Sequence, residues 1–439
     1  HFSVMAPPTA PATTTQVSRV PGWPSISCTQ IMLPTTWLPV TETADPGLQG
    51  PRHLVVSKST VWTFVVVFIN YVKPLKHADR PLMPRFRDTD LRTFGVAMFE
   101  AAGCVRDDAT TIIDHLVESS LFGHDSHGSL RMYEYIDQIQ AGTFNPKGRP
   151  RIERERGVTA CIDGDGALGQ VAGRLAVETG AGLARLHGVG VVTVRNCSHL
   201  GRIGAYPLAA ARQGLMGLAF VNAGRLGRQI PPYGGIDGRI STNPVAFSAP
   251  RPDQDPILVD MTTSVVAEGK IRVAHNRNQS VPAGWITDSE GQPTCDPGAY
   301  VGPPSGAILP LGGVVAYKGY CLGMMVEMFG GILSGEGTAN GELTVRSNGM
   351  LLTVYDPSFF CEAEDYAAEL EGLIQHVLSS RVDPSIGRIR LPGAPEFDTG
   401  RERLAQGIPI DDTTWSRIIE RANRLGLDTK TWDAHAISG

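Results

Sequence analysis

The chain has 439 residues, with 39 Lys plus Arg against 44 Asp plus Glu, a net charge of −5 with the histidines neutral. That near balance points away from nucleic acid and anionic membranes as principal partners, and 42% apolar against 19% charged residues excludes a largely disordered chain. The seven cysteines are scattered, with no C-x-x-C pair, which argues against a disulfide framework or cysteine-rich zinc module and for a reducing, cytoplasmic setting.

Residues 1–50 are rich in Pro, Thr and Ser and hold no sustained period of two or 3.6. Such a segment buries too little apolar area to offset its chain entropy. The apolar run at 61–72, VWTFVVVFINYV, falls short of the roughly 20 residues a bilayer requires; it reads as a strand or as no native element. Clean helical punctuation begins just after Met83. Residues 1–82 are therefore expected to be a non-functional or disordered leader, with a targeting role as the alternative.

From residue 88 helices and strands alternate. Asp88 is expected to cap a helix carrying Leu91, Phe94 and Met98 on one face and ending at Gly103. Asp107 and Asp108 open a second, with Ile112, Ile113, Leu116, Val117 and Leu121 at helical spacing. Strands are predicted at 158–163, 190–196, 216–222, 244–249, 257–260 and 350–356. Helices are predicted at about 169–187, 361–379 and 413–425. The segment 318–334 reads as a helix apolar nearly all round, hence inside the protein or in an interface. Without a regular βαβ rhythm the class is α+β, not a doubly wound sheet. The expected parts are a helical portion at 83–157, a central α+β domain at 158–350 and a closing strand and helices at 351–439.

Gly164, Gly166 and Gly169 match G-x-G-x-x-G between a predicted strand and helix, the setting of a dinucleotide loop. No acidic residue ends the next strand, which closes on Arg195 and Asn196. A strand-to-helix turn that needs small residues is the simpler reading.

Polar clusters at element ends carry more. GHDSHGSLRMYEY (123–135) holds Ser126, His127, Arg131 and Tyr135. If helix resumes there, His127, Arg131 and Tyr135 share a face; an imidazole, a guanidinium fork and a phenol suit a small carboxylate. NCSHLG (196–201) sets His199 at the end of a buried strand, and histidine is the usual acid or base near neutral pH. Either histidine alone is more commonly structural, and the H-x-x-H of His124 and His127 lacks the further ligands zinc requires. The residues by themselves stop at a candidate small-acid site.

Taken together with PPYGGIDGRISTNPVAFSAP (231–250), LVDMTTSVVAEGKI (258–271), GWITDSEGQPTCDP (284–297), GGVVAYKGYCLGMMVEMFGGILSG (312–335) and RLAQGIPI (403–410), these clusters resemble the malate/L-lactate dehydrogenase family of the second, non-Rossmann type. The group also includes ureidoglycolate, sulfolactate and diketogulonate dehydrogenases and cyclic-imine carboxylate reductases. The resemblance spans about 88–428. It implies a non-Rossmann cofactor domain beside a small N-terminal helical layer, a homodimer, no metal, and NAD- or NADP-dependent oxidation of a small 2-hydroxy acid. Carried over position by position, the catalytic histidine falls on His199 and the substrate cluster on Ser126, His127 and Arg131, with Tyr135 one turn on. The cofactor contacts fall on Ala223, where relatives commonly carry serine, Thr242, Asn243, Pro244, Asp260, Met261, Thr262 and Lys318. A cyclic imine carboxylate as substrate is the alternative within the family, and a non-catalytic small-acid-binding protein or a zinc hydrolase the alternatives outside it.

Overall fold

The computed structural model describes residues 83–340 and 347–430; the expectations for residues 1–82, the 61–72 run included, lie outside them. Strand β1 (Arg85–Phe86) leads into α1 (Asp88–Ala101) and α2 (Arg106–Leu121), followed by α3 (Arg131–Gln140). Asp88 is not the cap: Arg87 holds that position without a side-chain bond, and Asp88 and Asp90 lie in the first turn, where their charge favours the helix dipole. The apolar stripes named from the sequence do meet, with Leu91, Phe94, Met98, Ile112, Ile113, Leu116 and Val117 all buried in one core.

Strands β2 (Arg151–Arg156) and β3 (Thr159–Asp163) precede α4 (Gly169–His187) and β4 (Val189–Cys197). β3 and β4 pair in parallel, so among the described residues a single βαβ unit is present. After it come α5 (Ala205–Ala211), β5 (Met216–Asn222), β6 (Val245–Ala249) and β7 (Ile257–Met261). A smaller lobe follows, with α6 (Glu268–Asn276), β8 (Ile286–Thr287), β9 (Pro293–Thr294), α7 (Gly298–Val301) and β10 (Ala307–Ile308) around their own apolar cluster.

Next are α8 (Tyr317–Val326), a π-helical stretch over Glu327–Leu333 and β11 (Asn348–Tyr355). The chain then runs through α9 (Ala363–Leu378), α10 (Ala394–Gln406), β12 (Ile408–Pro409) and α11 (Asp412–Arg424). Helix α10 is absent from the sequence reading, because only Phe397 and Gly400 of it are buried and no apolar period marks it.

Among the described residues the main sheet runs β2-β3-β4-β11-β5-β6-β7, antiparallel except at β3–β4. Alternation along its strands decides the two faces. Val192, Val194, Met350, Leu352 and Val354 pack with α4 and α5, whereas Leu351 and Phe220 pack with Val326 of α8. The C-terminal part returns to the first core: β12 pairs with β1, and Ile408, Ile410 and Ile418 join the helical layer.

Segment 318–334 is not interior. Gly319, Gly323, Val326, Glu327, Gly330, Gly331 and Ser334 are its buried residues, while Met324, Met325, Met328, Phe329, Ile332 and Leu333 are exposed. Its small side chains lie inward and its large apolar ones outward, an asymmetry that a count of hydrophobic residues does not detect. No helix among the described residues is long and apolar enough to cross a membrane.

Candidate functional site

Strand register gathers one edge of the sheet. Asn348 at the start of β11 lies opposite Cys197 at the end of β4, Gly349 opposite Asn222 at the end of β5, and Val245 at the start of β6 opposite both Phe220 and Met261. His199 and Thr242–Asn243–Pro244 therefore leave the sheet along the same edge, as do Asp260, Met261 and Thr262.

The G-x-G-x-x-G glycines serve this edge structurally. A Cβ on Gly164 would come within 2.7 Å of the Asn196 carbonyl oxygen, and one on Gly169 within 2.6 Å of that of His199. Their amides are also occupied, Gly164 donating to Arg195 O (2.9 Å), Gly166 to Asn196 O (2.9 Å) and Gly169 to Ser198 Oγ (3.1 Å). A turn whose glycines press against the histidine loop and whose amides are used internally is no phosphate cradle.

His199 Nδ1 is 2.7 Å from the Tyr135 hydroxyl. Gln170 Nε2 donates to that hydroxyl and to the His199 carbonyl oxygen, each at 3.2 Å, fixing phenol and loop together. Burial pushes the Tyr135 phenol up to about 12, so it acts as an O–H group and not as a phenolate. His127 stacks on His199, with ring centroids 5.5 Å apart, and its Nδ1 lies 2.9 Å from Ser126 Oγ. Burial, aided by the neighbouring Arg131 guanidinium, pushes the His127 imidazole down to about 3. It is neutral in neutral solution and serves as a hydrogen-bonding group, not a cation.

One expectation fails here. His127 does not share a helix with Arg131 and Tyr135; it ends a short 3-10 turn (Asp125–His127), and α3 starts at Arg131. The turn still carries the imidazole to His199. Arg131 is also engaged, with Nε donating to Ser126 O (2.7 Å) and Nη1 paired with Glu134, so the guanidinium is oriented before any ligand arrives.

A buried charge cluster lies behind this group. Arg202, whose side chain is 1% exposed, pairs with Glu118 at 2.6 Å and lies 3.8 Å from Asp260, over the Phe122 ring. The Arg202 backbone N–H donates to His115 Nε2 at 2.9 Å; burial pushes His115 down to about 3, and the Arg202 charge adds to the effect. Asp260 Oδ2 accepts from the Gly204 N–H (2.9 Å), and Thr262 Oγ1 donates to Ser264 O (3.1 Å).

Farther along the edge, Ala223, Thr242, Pro244 and Thr262 are half-buried and Met261 is exposed, whereas Asn243 is buried. Lys318 lies exposed in the first turn of α8. Half-open apolar and hydroxyl groups together with an exposed ammonium are a set of residue types that fits a nicotinamide dinucleotide, with the ammonium suited to phosphate. Sequence reasoning missed Gln170, Asn222, Glu327 and Asn348. The available signal was a polar residue inside or at the end of an apolar run.

The malate/L-lactate dehydrogenase family model matches residues 86–419. Hydroxycarboxylate dehydrogenase B of Escherichia coli O157:H7 is 35% identical over 355 residues, covering 80% of this chain and 97% of its own. The structure of malate dehydrogenase from Pyrococcus horikoshii is similar with a TM-score of 0.71 at 33% identity, covering 79% of this chain and 97% of that one. That of Δ1-piperideine-2-carboxylate reductase from Pseudomonas syringae is similar at 0.68 and 28% identity, over 77% and 99%.

Proposed function

The chain belongs to the malate/L-lactate dehydrogenase family and is an oxidoreductase, and from that premise we propose that it interconverts a small 2-hydroxy acid and its 2-oxo acid using NAD or NADP. The observation that carries this reading is the pairing of His199 with Tyr135 beside the stacked His127. One imidazole is held by a neutral phenol, and carboxylate-binding groups stand on the facing element.

Ala223, Thr242–Pro244, Met261, Thr262 and Lys318 would hold the nicotinamide, which when bound would supply the hydride acceptor or donor. His199 does the proton work. For oxidation Nε2 takes the hydroxyl proton of the carbon that loses hydride; the imidazole then carries its other proton on Nδ1, directed at the Tyr135 oxygen. For reduction the same Nε2 returns a proton to the nascent alkoxide oxygen. Nδ1 keeps its proton in both protonation states of this cycle, so the Tyr135 oxygen accepts from it throughout and holds the tautomer in which Nε2 is the working atom. Arg131 supplies the positive charge for the substrate carboxylate and His127 a neutral N–H, which together orient the reacting carbon.

A second reading, reduction of a cyclic imine carboxylate, is favoured by the likeness to the piperideine carboxylate reductase. A second copy of the chain against the exposed Met324–Leu333 face belongs to the same proposal, since an apolar surface of that kind favours association. The test is reduced-nicotinamide absorbance with NADH and NADPH against 2-oxo acids and piperideine-2-carboxylate. Turnover of a 2-oxo acid is expected; oxidation of cofactor by the imine alone decides for the second reading, and turnover of neither overturns both.

A further inference from the structure

The acid–base chemistry leaves a buried polar network unused. Glu327 is 4% exposed and lies on the π-helical stretch between α8 and the sheet, a helix form frequent at functional sites. One carboxylate oxygen accepts from Asn243 Nδ2 at 2.9 Å, the other from Asn222 Nδ2 at 3.3 Å. Asn222 cannot turn over: its Nδ2 also donates to Gly337 O (2.8 Å), and its Oδ1 accepts from the Gly349 N–H (3.2 Å). The Asn222 carbonyl oxygen accepts from Asn348 Nδ2 (2.9 Å), and Asn348 Oδ1 accepts from the Leu200 N–H (2.9 Å). Leu200 is the neighbour of His199. At the other end Asn243 adopts a left-handed φ of 38°, with Thr263 Oγ1 donating to the carbonyl oxygens of Thr242 (3.2 Å) and Asn243 (3.0 Å).

We infer that Glu327 is a positioning residue that ties the Thr242–Asn243–Pro244 turn to the histidine loop, holding a bound nicotinamide in register with His199. This rests on the dehydrogenase reading above. A buried carboxylate costs folding free energy unless its partners compensate, and an apolar residue in its place is often neutral or better. Burial raises the carboxyl pKa of Glu327 above its ordinary value despite these partners. Its contribution is therefore the path between two segments. The partners of its two oxygens, Asn243 and Asn222, lie outside the acid-binding cluster at Ser126–Arg131, so acid affinity is expected to be independent of it.

The test is Glu327→Gln in the full chain. Its amide presents N–H where one asparagine also presents N–H; Asn243 Nδ2 is further held by Gly323 O (3.0 Å) and Asn222 Nδ2 by Gly337 O (2.8 Å), so neither side chain turns over to compensate and the tie between the two segments is broken on one side. Losing a hydrogen bond to a charged group is expected to weaken NADH or NADPH binding about 10-fold by fluorescence titration. Misalignment lowers kcat about 10- to 100-fold, while KM for the acid is unchanged. A variant with wild-type cofactor affinity and kcat overturns the inference. So does one whose losses all scale with its folded fraction. Should the variant fail to fold, amide exchange in the wild-type chain decides: saturating cofactor should slow exchange at Leu200 and Gly349, and protection confined to residues 242–245 overturns the coupling. A wild-type chain that binds neither cofactor overturns the dehydrogenase reading itself, which separates the two failures.

Discussion

Tyr135→Phe removes one atom from the acid–base pair and almost nothing else. The ring keeps its edge-on contact with Phe144 at 5.6 Å, and Gln170 Nε2 keeps the His199 carbonyl oxygen at 3.2 Å. The Gln170 N–H that meets the Tyr135 hydroxyl at 3.2 Å loses its acceptor, which costs about 1–3 kcal/mol of stability, so the kinetics are read on the folded fraction. What is lost is the 2.7 Å bond to His199 Nδ1, made to a ring that alternates between neutral and charged during turnover. A hydrogen bond to a group that becomes charged contributes about 1.5–3 kcal/mol, which is roughly 10- to 150-fold in kcat. Steady-state kinetics with a 2-oxo acid and reduced cofactor reads the effect, with cofactor affinity by titration as the internal control. The reasoning is refuted if kcat stays within twofold of wild type, or if cofactor binding falls in step with it.

His199→Asn should lower kcat about 10²- to 10⁴-fold with cofactor binding retained; near-normal turnover would move the acid–base role elsewhere. Arg131→Lys keeps the charge but loses the planar fork that reaches Ser126 O and Glu134, so KM for the acid should rise clearly; an unchanged KM means the carboxylate is bound elsewhere. His115 has a folded pKa of about 3, below its ordinary value of 6.5. The unfolded chain thus takes up protons between these values that the folded chain refuses, and the contribution to stability is present above pH 6.5 and lost as pH falls. Urea titrations from pH 6.5 to 5 should show His115→Gln losing about 2 kcal/mol less than wild type, and parallel slopes for the two proteins refute the assignment.

The strands and paired helices were legible because their signals are local and repetitive. GVVTVRN and MGLAFVN are continuous apolar runs that end in polar residues, and α1 and α2 keep their apolar spacing for several turns. His199 was legible as a charged-type residue at a strand end. The cofactor positions could be named only by resemblance, since nothing local in S-T-N-P marks Asn243 as fully buried. Gln170 and Glu327 stayed hidden for a physical reason: each takes its meaning from partners far along the chain, 35 residues for Gln170 and Tyr135, 84 for Asn243 and Glu327. The break between His127 and α3 was foreshadowed by Gly128, whose ψ of −143° no helix accommodates.

The position of β11 governs how the chain reaches its native state. β4 and β5 are consecutive in the main sheet's chain order yet never pair, because β11 lies between them. The side-chain bond from Asn348 to Asn222 closes a separation of 126 residues. During synthesis both older strands therefore emerge with bare backbone edges and stay so until residue 348 and those after it arrive. Long-range pairing of this kind folds slowly, and the waiting edges are templates for unwanted strand addition between chains. Ribosome-stalled chains ending before β11 should accordingly be aggregation-prone and protease-sensitive, whereas chains extended past Tyr355 should gain resistance in the central sheet abruptly rather than strand by strand.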